Sequence, residues 1–338
     1  MKTAWYIYHV ECFSVPPRDD EINEVGKVDS MHDRTAAVIV TYNRCTMLER
    51  CIQALLRQTA ACDILIVDNC STDHTASFVA SLNDPAIRYR RLEKNSGGAG
   101  GFNAGMRWAV EEGYSFVWLM DDDCLPEPEA LAELLAADQI LKGDHGFLCS
   151  SVLWTDGKEC RMNRQKIRKD YYTHQELLCH GMIRVEQATF VSLFLRREII
   201  LKAGLPLKEF FIWGDDIEYT RRLAVRMALP CFLAGRSKVV HAMAQNTGSD
   251  LSTDTADRLA RYSFAYRNEN YLYRREGFSG WFYYNCRCMY HFWKVVFKAK
   301  SHRLKRLWTL CSASFRGYFF NPAVEYVNLE TSQERTNA

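Results

Sequence analysis

Three short apolar runs, each ending on polar or acidic residues and separated by segments of helical spacing, constrain this chain more than any other feature. Thr35 to Thr41 (TAAVIVT) is β-branched and continuously hydrophobic, Asp63 to Asp68 (DILIVD) repeats the pattern, and Phe116 to Met120 (FVWLM) runs into Asp121, Asp122 and Asp123. Runs of this length without polar alternation fit strands buried on both faces of a parallel sheet. Between them, Met47, Leu48, Ile52, Leu55 and Leu56 recur at helical spacing within Asn43 to Gln58. Thr72 to Leu82 reads as a second helix, Ile87 to Leu92 as a third strand and Gly105 to Glu112 as a further helix. Strand and helix in alternation predict an α/β fold doubly wound around a mostly parallel central sheet. Ligands of such sheets gather at the carboxyl ends of the strands, so Thr41-Tyr42-Asn43-Arg44, Asp68-Asn69 and Asp121-Asp122-Asp123 are expected to face one crevice.

At 338 residues the chain exceeds an average domain, and one core with appendages is expected. We read residues 1–34 as an N-terminal arm, 35–250 as the catalytic core, 251–325 as a helical basic and aromatic region, and 326–338 as a tail. The arm opens on Trp5 to Tyr8 and passes Pro16 and Pro17; translation from Met31 would omit nearly all of it. The 43 basic and 41 acidic residues nearly cancel to a net charge of +2, which gives no global field to draw nucleic acid. Thirteen cysteines, an odd number without metal-ligand spacing and with no secretory signal, predict reduced thiols in the cytoplasm.

The acids at the end of the third apolar run carry the strongest chemical signal. Three adjacent carboxylates repel one another, and at the tip of a buried strand they call for a cation or solvent. Asp121 and Asp123 share a face of an extended segment while Asp122 points elsewhere. Hard oxygen ligands suit Mg²⁺ or Mn²⁺, which in turn hold diphosphate oxygens; a solvated acidic turn near Pro126 and Pro128 is the bland alternative. Asp68 at its strand tip is free to accept hydrogen bonds from a base or ribose, while Ser71, Thr72 and Asp73 read as the cap of the following helix. The segment Asn95 to Gly105 (NSGGAGGFNAG) reads as a glycine-rich strand-to-helix loop whose backbone can approach an anion or ribose. It lacks the Gly-Lys-Ser/Thr of a Walker loop and follows the wrong strand for a dinucleotide fingerprint. Asp215 and Asp216 begin a helix after an aromatic run, where either can cap it or serve as a general base. His241, after the strand-like Ser237 to Val240, can complete a metal site with Asp121 and Asp123 or be purely structural.

Taken in order, Val38 to Arg44, Val67 to Asp73, Asn95 to Gly105 and Asp121 to Asp123 resemble family 2 glycosyltransferases of the GT-A fold. With Trp213-Gly214-Asp215-Asp216-Ile217-Glu218 the likeness narrows to bacterial galactofuranosyl and rhamnosyl transferases. The resemblance spans about residues 35 to 245 and implies a GT-A core with a C-terminal helical appendage. It implies an inverting, metal-dependent transfer of galactofuranose from UDP-galactofuranose to a hydroxyl of a bacterial surface glycan or lipid-linked glycan, with dTDP-rhamnose as the alternative donor. By this likeness Thr41, Asp68 and Asn95 bind the nucleoside; Tyr42, Arg44, Gly97, Gly98 and Asp122 complete the donor site. Asp121 takes the ribose or the metal, and Asp123 and His241 the metal, Mn²⁺ or Mg²⁺. Asp216 is the base, and Trp213 and Asp215 contact the sugar or acceptor. Gly214 departs from the galactofuranosyl pattern, in which Trp directly precedes the acid pair; here Trp213 lies one position earlier. A nucleotidyltransferase would use the same sheet and acids but needs a basic phosphate loop after the first strand, where only Arg44 stands. A non-catalytic nucleotide-sugar-binding protein would need a lost acid, and every expected acid is present.

From Arg267 to Phe320 aromatics mix with cations, including Trp281, Phe282, Trp293, Lys294, Phe297, Lys298, Lys305 and Trp308. No stretch reaches the ~18–20 apolar residues of a spanning helix. The mixture suits helices lying on the inner face of the plasma membrane, or packed on the core or on a second copy of the chain.

Overall fold

The computed structural model describes residues 34–329; the expected arm lies outside them except for Arg34, as do Met31 and residues 330–338 of the tail. In chain order the core comprises β1 (Thr35–Thr41), α1 (Cys45–Leu55), β2 (Asp63–Asp68), α2 (Thr75–Ser81), β3 (Ile87–Arg91), α3 (Gly97–Glu111), β4 (Phe116–Asp121), β5 (Cys124–Pro126), α4 (Ala130–Ile140) and β6 (Phe147–Trp154). It continues through β7 (Lys166–Ile167), β8 (Met182–Gln187), β9 (Leu193–Arg196), α5 (Arg197–Ala203), α6 (Asp215–Arg221) and β10 (Cys231–His241). Three helices follow, α7 (Leu259–Arg274), α8 (Gly277–Lys298) and α9 (Arg303–Phe319).

The strands form one sheet in the order β3-β2-β1-β4-β9-β6-β10-β8-β7, with β5 on β10. Its first four are parallel, as expected, and β6 and β10 also run parallel, with antiparallel β9 between β4 and β6. All seven residues of β1 are buried because the sheet is covered on both sides. Val38 and Val40 pack with α3, while Ala37 and Ile39 pack with α1 and α4. Burial of each such aliphatic side chain contributes about 1.5–3 kcal/mol, which is why continuous hydrophobicity could stand in for alternation.

The glycine-rich segment departs from expectation. It is not a loop to Gly105: α3 begins at Gly97 and absorbs it. A Cβ on Gly101 would lie 2.4 Å from Val40 Cγ1, and one on Gly105 would lie 2.4 Å from Val38 Cγ1. The four-residue spacing puts these bare positions on one helix face, so α3 approaches β1 more closely than any side chain would allow. Tertiary packing thus outweighs the roughly 1 kcal/mol that each helical glycine costs.

Candidate active site

The ends of β1 and β4 meet the end of β10, and the topology explains how residues so distant in sequence converge. Val40 of β1 lies opposite Asp121 of β4, and Thr41 opposite Asp68 of β2. The chain then reverses through Asp122 and Asp123 into β5, which pairs with β10 so that Cys124 faces His241. The Ala242 N–H donates to the Asp123 carbonyl at 2.9 Å and fixes the end of β10 on the acid turn.

Side chains brace this corner from three sides. Arg44 pairs through Nη1 with Asp122 Oδ1 and donates from Nη2 to Asp123 Oδ2, each at 2.8 Å. Thr41 Oγ1 donates to Asp122 Oδ2 at 2.7 Å, and both residues are buried. His241 Nε2 donates to Asp123 Oδ1 at 3.0 Å, and its Nδ1 lies 2.7 Å from Asn163 Oδ1. Burial and the adjacent Asp123 push Asp121 up to about 7. Burial also raises Asp122, against the pull of Arg44 and Thr41, to about 6. Asp123 goes the other way: burial opposes its ionisation, but His241 and Arg44 outweigh it and hold the carboxyl at about 2. Burial disfavours the His241 cation, yet the bond to Asp123 prevails and lifts the imidazole to about 10.

Asp68 is fully buried, accepting from the Ser71 N–H at 2.8 Å and the Tyr89 hydroxyl at 2.5 Å. Tyr42, 42% exposed, stands open at the end of β1. Asn95 is exposed, and its Oδ1 accepts from the Gly97 N–H at 2.9 Å, turning the chain into α3. Gly97 is buried against the Phe211 carbonyl, 1.9 Å from where a Cβ would sit, whereas nothing lies within 4 Å of a Cβ on Gly98.

The acid pair is supplied by a separate element, α6. Asp215 and Asp216 open α6, and Asp216 Oδ1 accepts from the Ile217 N–H at 2.7 Å. Burial raises Asp216 to about 6, and burial together with Asp216 pushes Asp215 well above the usual carboxylate range. The charge of Asp121 also raises Asp215, and that of Asp216 raises Asp121, so the two acid clusters share one field. Trp213 is half-buried, its ring centroid 5.0 Å from that of Tyr262.

Residues 36–200 match the family model described as "Glycosyl transferase family 2". These residues form a family 2 glycosyl transferase domain. The galactofuranosyltransferase GlfT1 of Mycobacterium tuberculosis is 29% identical over 269 residues, covering 73% of this chain and 84% of the relative. The enzyme of the same name from Mycolicibacterium smegmatis is 27% identical over 71% of this chain and 83% of its own. Among solved structures, GalNAc-T7 with UDP, GalNAc and Mn²⁺ superposes with a TM-score of 0.52 at 13% identity, over 71% of this chain and 50% of that one, a likeness of fold. The core of this family 2 glycosyltransferase is accordingly of GT-A type, with C-terminal helices added.

The donor set of the glycosyltransferase fits a divalent cation. One oxygen from each of Asp121 and Asp123 and a nitrogen of His241 lie within 4.8 Å of one another. Asp121 pushed up to about 7 and the His241 imidazole lifted to about 10 both mark a corner that favours added positive charge. Two carboxylate oxygens and an imidazole suit Mn²⁺ and also accept Mg²⁺.

Several residues build the site in roles that the sequence did not disclose. Buried Asn69 donates from Nδ2 to the Gly97 carbonyl at 2.7 Å and accepts from the Ser96 N–H at 2.8 Å, tying the end of β2 to α3. Asn163 faces His241 from a segment without regular periodicity. Glu218 pairs with Arg222 inside the protein, and Arg222 donates to the Ala203 and Leu205 carbonyls at 3.2 and 3.0 Å, anchoring α6. Only the i, i+4 spacing of Glu218 and Arg222 could have been read in advance.

Proposed function

We propose that the protein is an inverting, metal-dependent galactofuranosyltransferase that takes UDP-galactofuranose and extends a hydroxyl of a bacterial surface glycan or lipid-linked glycan. The observation that carries the chemistry is a cation-binding corner that shares its electrostatic field with a carboxylate raised to about 6. The sugar rests on the two galactofuranosyltransferase relatives.

Asp121, Asp123 and His241 would hold Mn²⁺ or Mg²⁺, which when bound neutralises the charge developing on a departing diphosphate. Thr41, Tyr42, Arg44, Asp68, Asn95, Gly97, Gly98 and Asp122 would line the donor side, with Tyr42 open to a base. Asp216, ionised above pH about 6, accepts the proton of the attacking hydroxyl, and attack opposite the leaving group inverts the anomeric centre. Burial favours the protonated form of Asp215, which can donate a hydrogen bond to a sugar hydroxyl as well as accept one. Trp213 contributes the adjoining wall.

No described helix is long and apolar enough to cross a membrane. α8 and α9 nonetheless expose Phe278, Trp293, Phe297, Trp308, Phe315 and Phe319. Lys298, Lys300, Arg303 and Lys305 lie beside them, and aromatics with cations suit an anionic lipid surface such as the cytoplasmic leaflet. We place these helices on that surface, where a lipid-linked acceptor would be found.

The deciding assay offers UDP-galactofuranose, UDP-galactopyranose and dTDP-rhamnose and follows nucleotide diphosphate release with and without Mn²⁺. Release from the first alone, with metal, is expected; preference for dTDP-rhamnose would overturn the donor, and full release in EDTA would overturn the metal. Flotation with phosphatidylserine vesicles at low salt tests the lipid surface, and failure to float removes it.

A further inference from the structure

The approach to the acid pair has an unfavourable backbone. Phe211 and Trp213 adopt φ values of 65° and 64°, followed by Gly214 at 87°. Non-glycine residues with positive φ are costly, and such a conformation persists only where its surroundings over-determine it. One side of the segment rests on α3, whose Ala99 N–H donates to the Phe211 carbonyl at 3.2 Å above the bare Gly97.

The other side is held by α7, outside the sheet altogether. Asn268 is fully buried, and its Nδ2 donates to the carbonyls of Phe210, Ile212 and Trp213 at 3.0, 3.2 and 2.8 Å. Its orientation is fixed, because Oδ1 accepts from Arg267 Nε and Nη2 at 2.9 and 2.8 Å. Arg267 Nη2 also donates to the Glu209 carbonyl at 2.7 Å. Two ring contacts complete the grip, Phe211 on Phe264 at 5.1 Å and Trp213 on Tyr262 at 5.0 Å. The Trp213 carbonyl stands one residue before Gly214 and two before Asp215, so any movement there is transmitted directly to both acids.

We propose that Asn268 is a positioning residue for transfer: it clamps residues 210–213 in their strained path and so sets where Asp215 and Asp216 stand, which makes α7 part of the catalytic apparatus. This rests on the reading of Asp216 as the base. Near-attack geometry tolerates little error, and a displacement of about 1 Å costs up to roughly 10²-fold in rate.

Asn268→Asp keeps the shape and the acceptor for Arg267 but turns an oxygen toward three carbonyls; Asn268→Ser removes the clamp with less disturbance and carries the same readouts should the first not fold. Asn270→Ala breaks the 2.8 Å bond from Nδ2 to the Ser314 carbonyl of α9 and controls for general loosening of α7. Amide hydrogen exchange over 210–217, UDP affinity with Mn²⁺, and kcat and KM for UDP release from UDP-galactofuranose are measured on each. Both Asn268 variants are expected to exchange faster over 210–217 and to lose about 10–100-fold in kcat, with KM and UDP affinity within about twofold. Asn270→Ala is expected to lower Tm without moving either. Unchanged exchange in the Asn268 variants overturns the clamp. Faster exchange with full kcat overturns the positioning function, whereas near-normal kcat in Asp216→Asn, assayed alongside, would overturn the base reading on which it rests.

Discussion

The two sides of the crevice are built on opposite principles. On the side formed by β1, β4 and β10, charges are cross-braced by side chains: Arg44 spans Asp122 and Asp123, and His241 closes on Asp123. On the other side, Asp215 and Asp216 draw on backbone amides and on a strained segment, and both are pushed above the ordinary carboxylate range. The first arrangement keeps Asp123 ionised whatever the pH above about 2; the second leaves Asp216 poised near 6, where it can take up a proton and release it. Asp121 and Asp122 of the first side are raised too, to about 7 and about 6, so the fixed charge there is that of Asp123; it suits holding a cation, and the adjustable charge of Asp216 suits moving a proton.

The contrast is broken most forcefully by removing one acid from each side. Asp216→Asn is expected to lower kcat by ~10²–10⁴-fold while UDP affinity with Mn²⁺ stays within about twofold. Asp123→Asn is expected to do the reverse first, weakening Mn²⁺ binding, read by electron paramagnetic resonance, by at least ~10-fold and nucleotide affinity with it. Equal losses of binding in both variants would erase the distinction between the two sides.

How far the sequence discloses this division follows from the range of the interactions. Asp121, Asp123 and His241 could be named because each ends an apolar strand, and in a sheet of this kind strand ends converge. The acid pair was visible because two carboxylates open a helix, although the same position serves capping, and Asp216 indeed bonds the Ile217 amide. Asn69 was named only by its place at a strand end, and neither its bracing role nor Asn163 and Asn268 were legible, since an asparagine looks alike whether it faces solvent or holds a partner 27 to 78 positions away. The glycines misled for a related reason. Flexibility is a local property, whereas their use here is to let α3 lie against β1, which only the assembled layers reveal.

A smaller effect sharpens the electrostatic half of the comparison. Asp216 titrates near 6 in the fold and near its ordinary value of 3.8 when unfolded. A carboxyl raised by folding favours the native state at low pH, and that contribution disappears as pH climbs through the folded value. Asp216→Asn is therefore expected to be more stable than the parent at pH 8, by on the order of 3 kcal/mol, and equal to it below pH about 3.8. Urea denaturation at the two pH values measures the difference. A gain that is the same at both would mean that the charge of Asp216 is not its source.

The smallest effect concerns the helix that touches both sides. Gly97 lies under the strained segment and Gly101 under β1, but a Cβ on Gly98 would meet nothing within 4 Å, and its φ is not positive. A side chain at Gly98 should therefore relieve the cost of a helical glycine without collision, and Gly98→Ala is expected to stabilise the protein by about 0.5–1 kcal/mol. The same open space lies at the start of α3, where the donor-side reading puts a close approach of backbone to ligand, so UDP affinity with Mn²⁺ is expected to fall by a few fold at about 1 kcal/mol per factor of five. A thermal melt and a titration calorimetry run decide the two halves independently. A gain in stability with unchanged affinity would strike Gly98 from the donor side and leave it an ordinary helical position. A loss of stability would mean that the first turn of α3 is braced more tightly than its neighbours show.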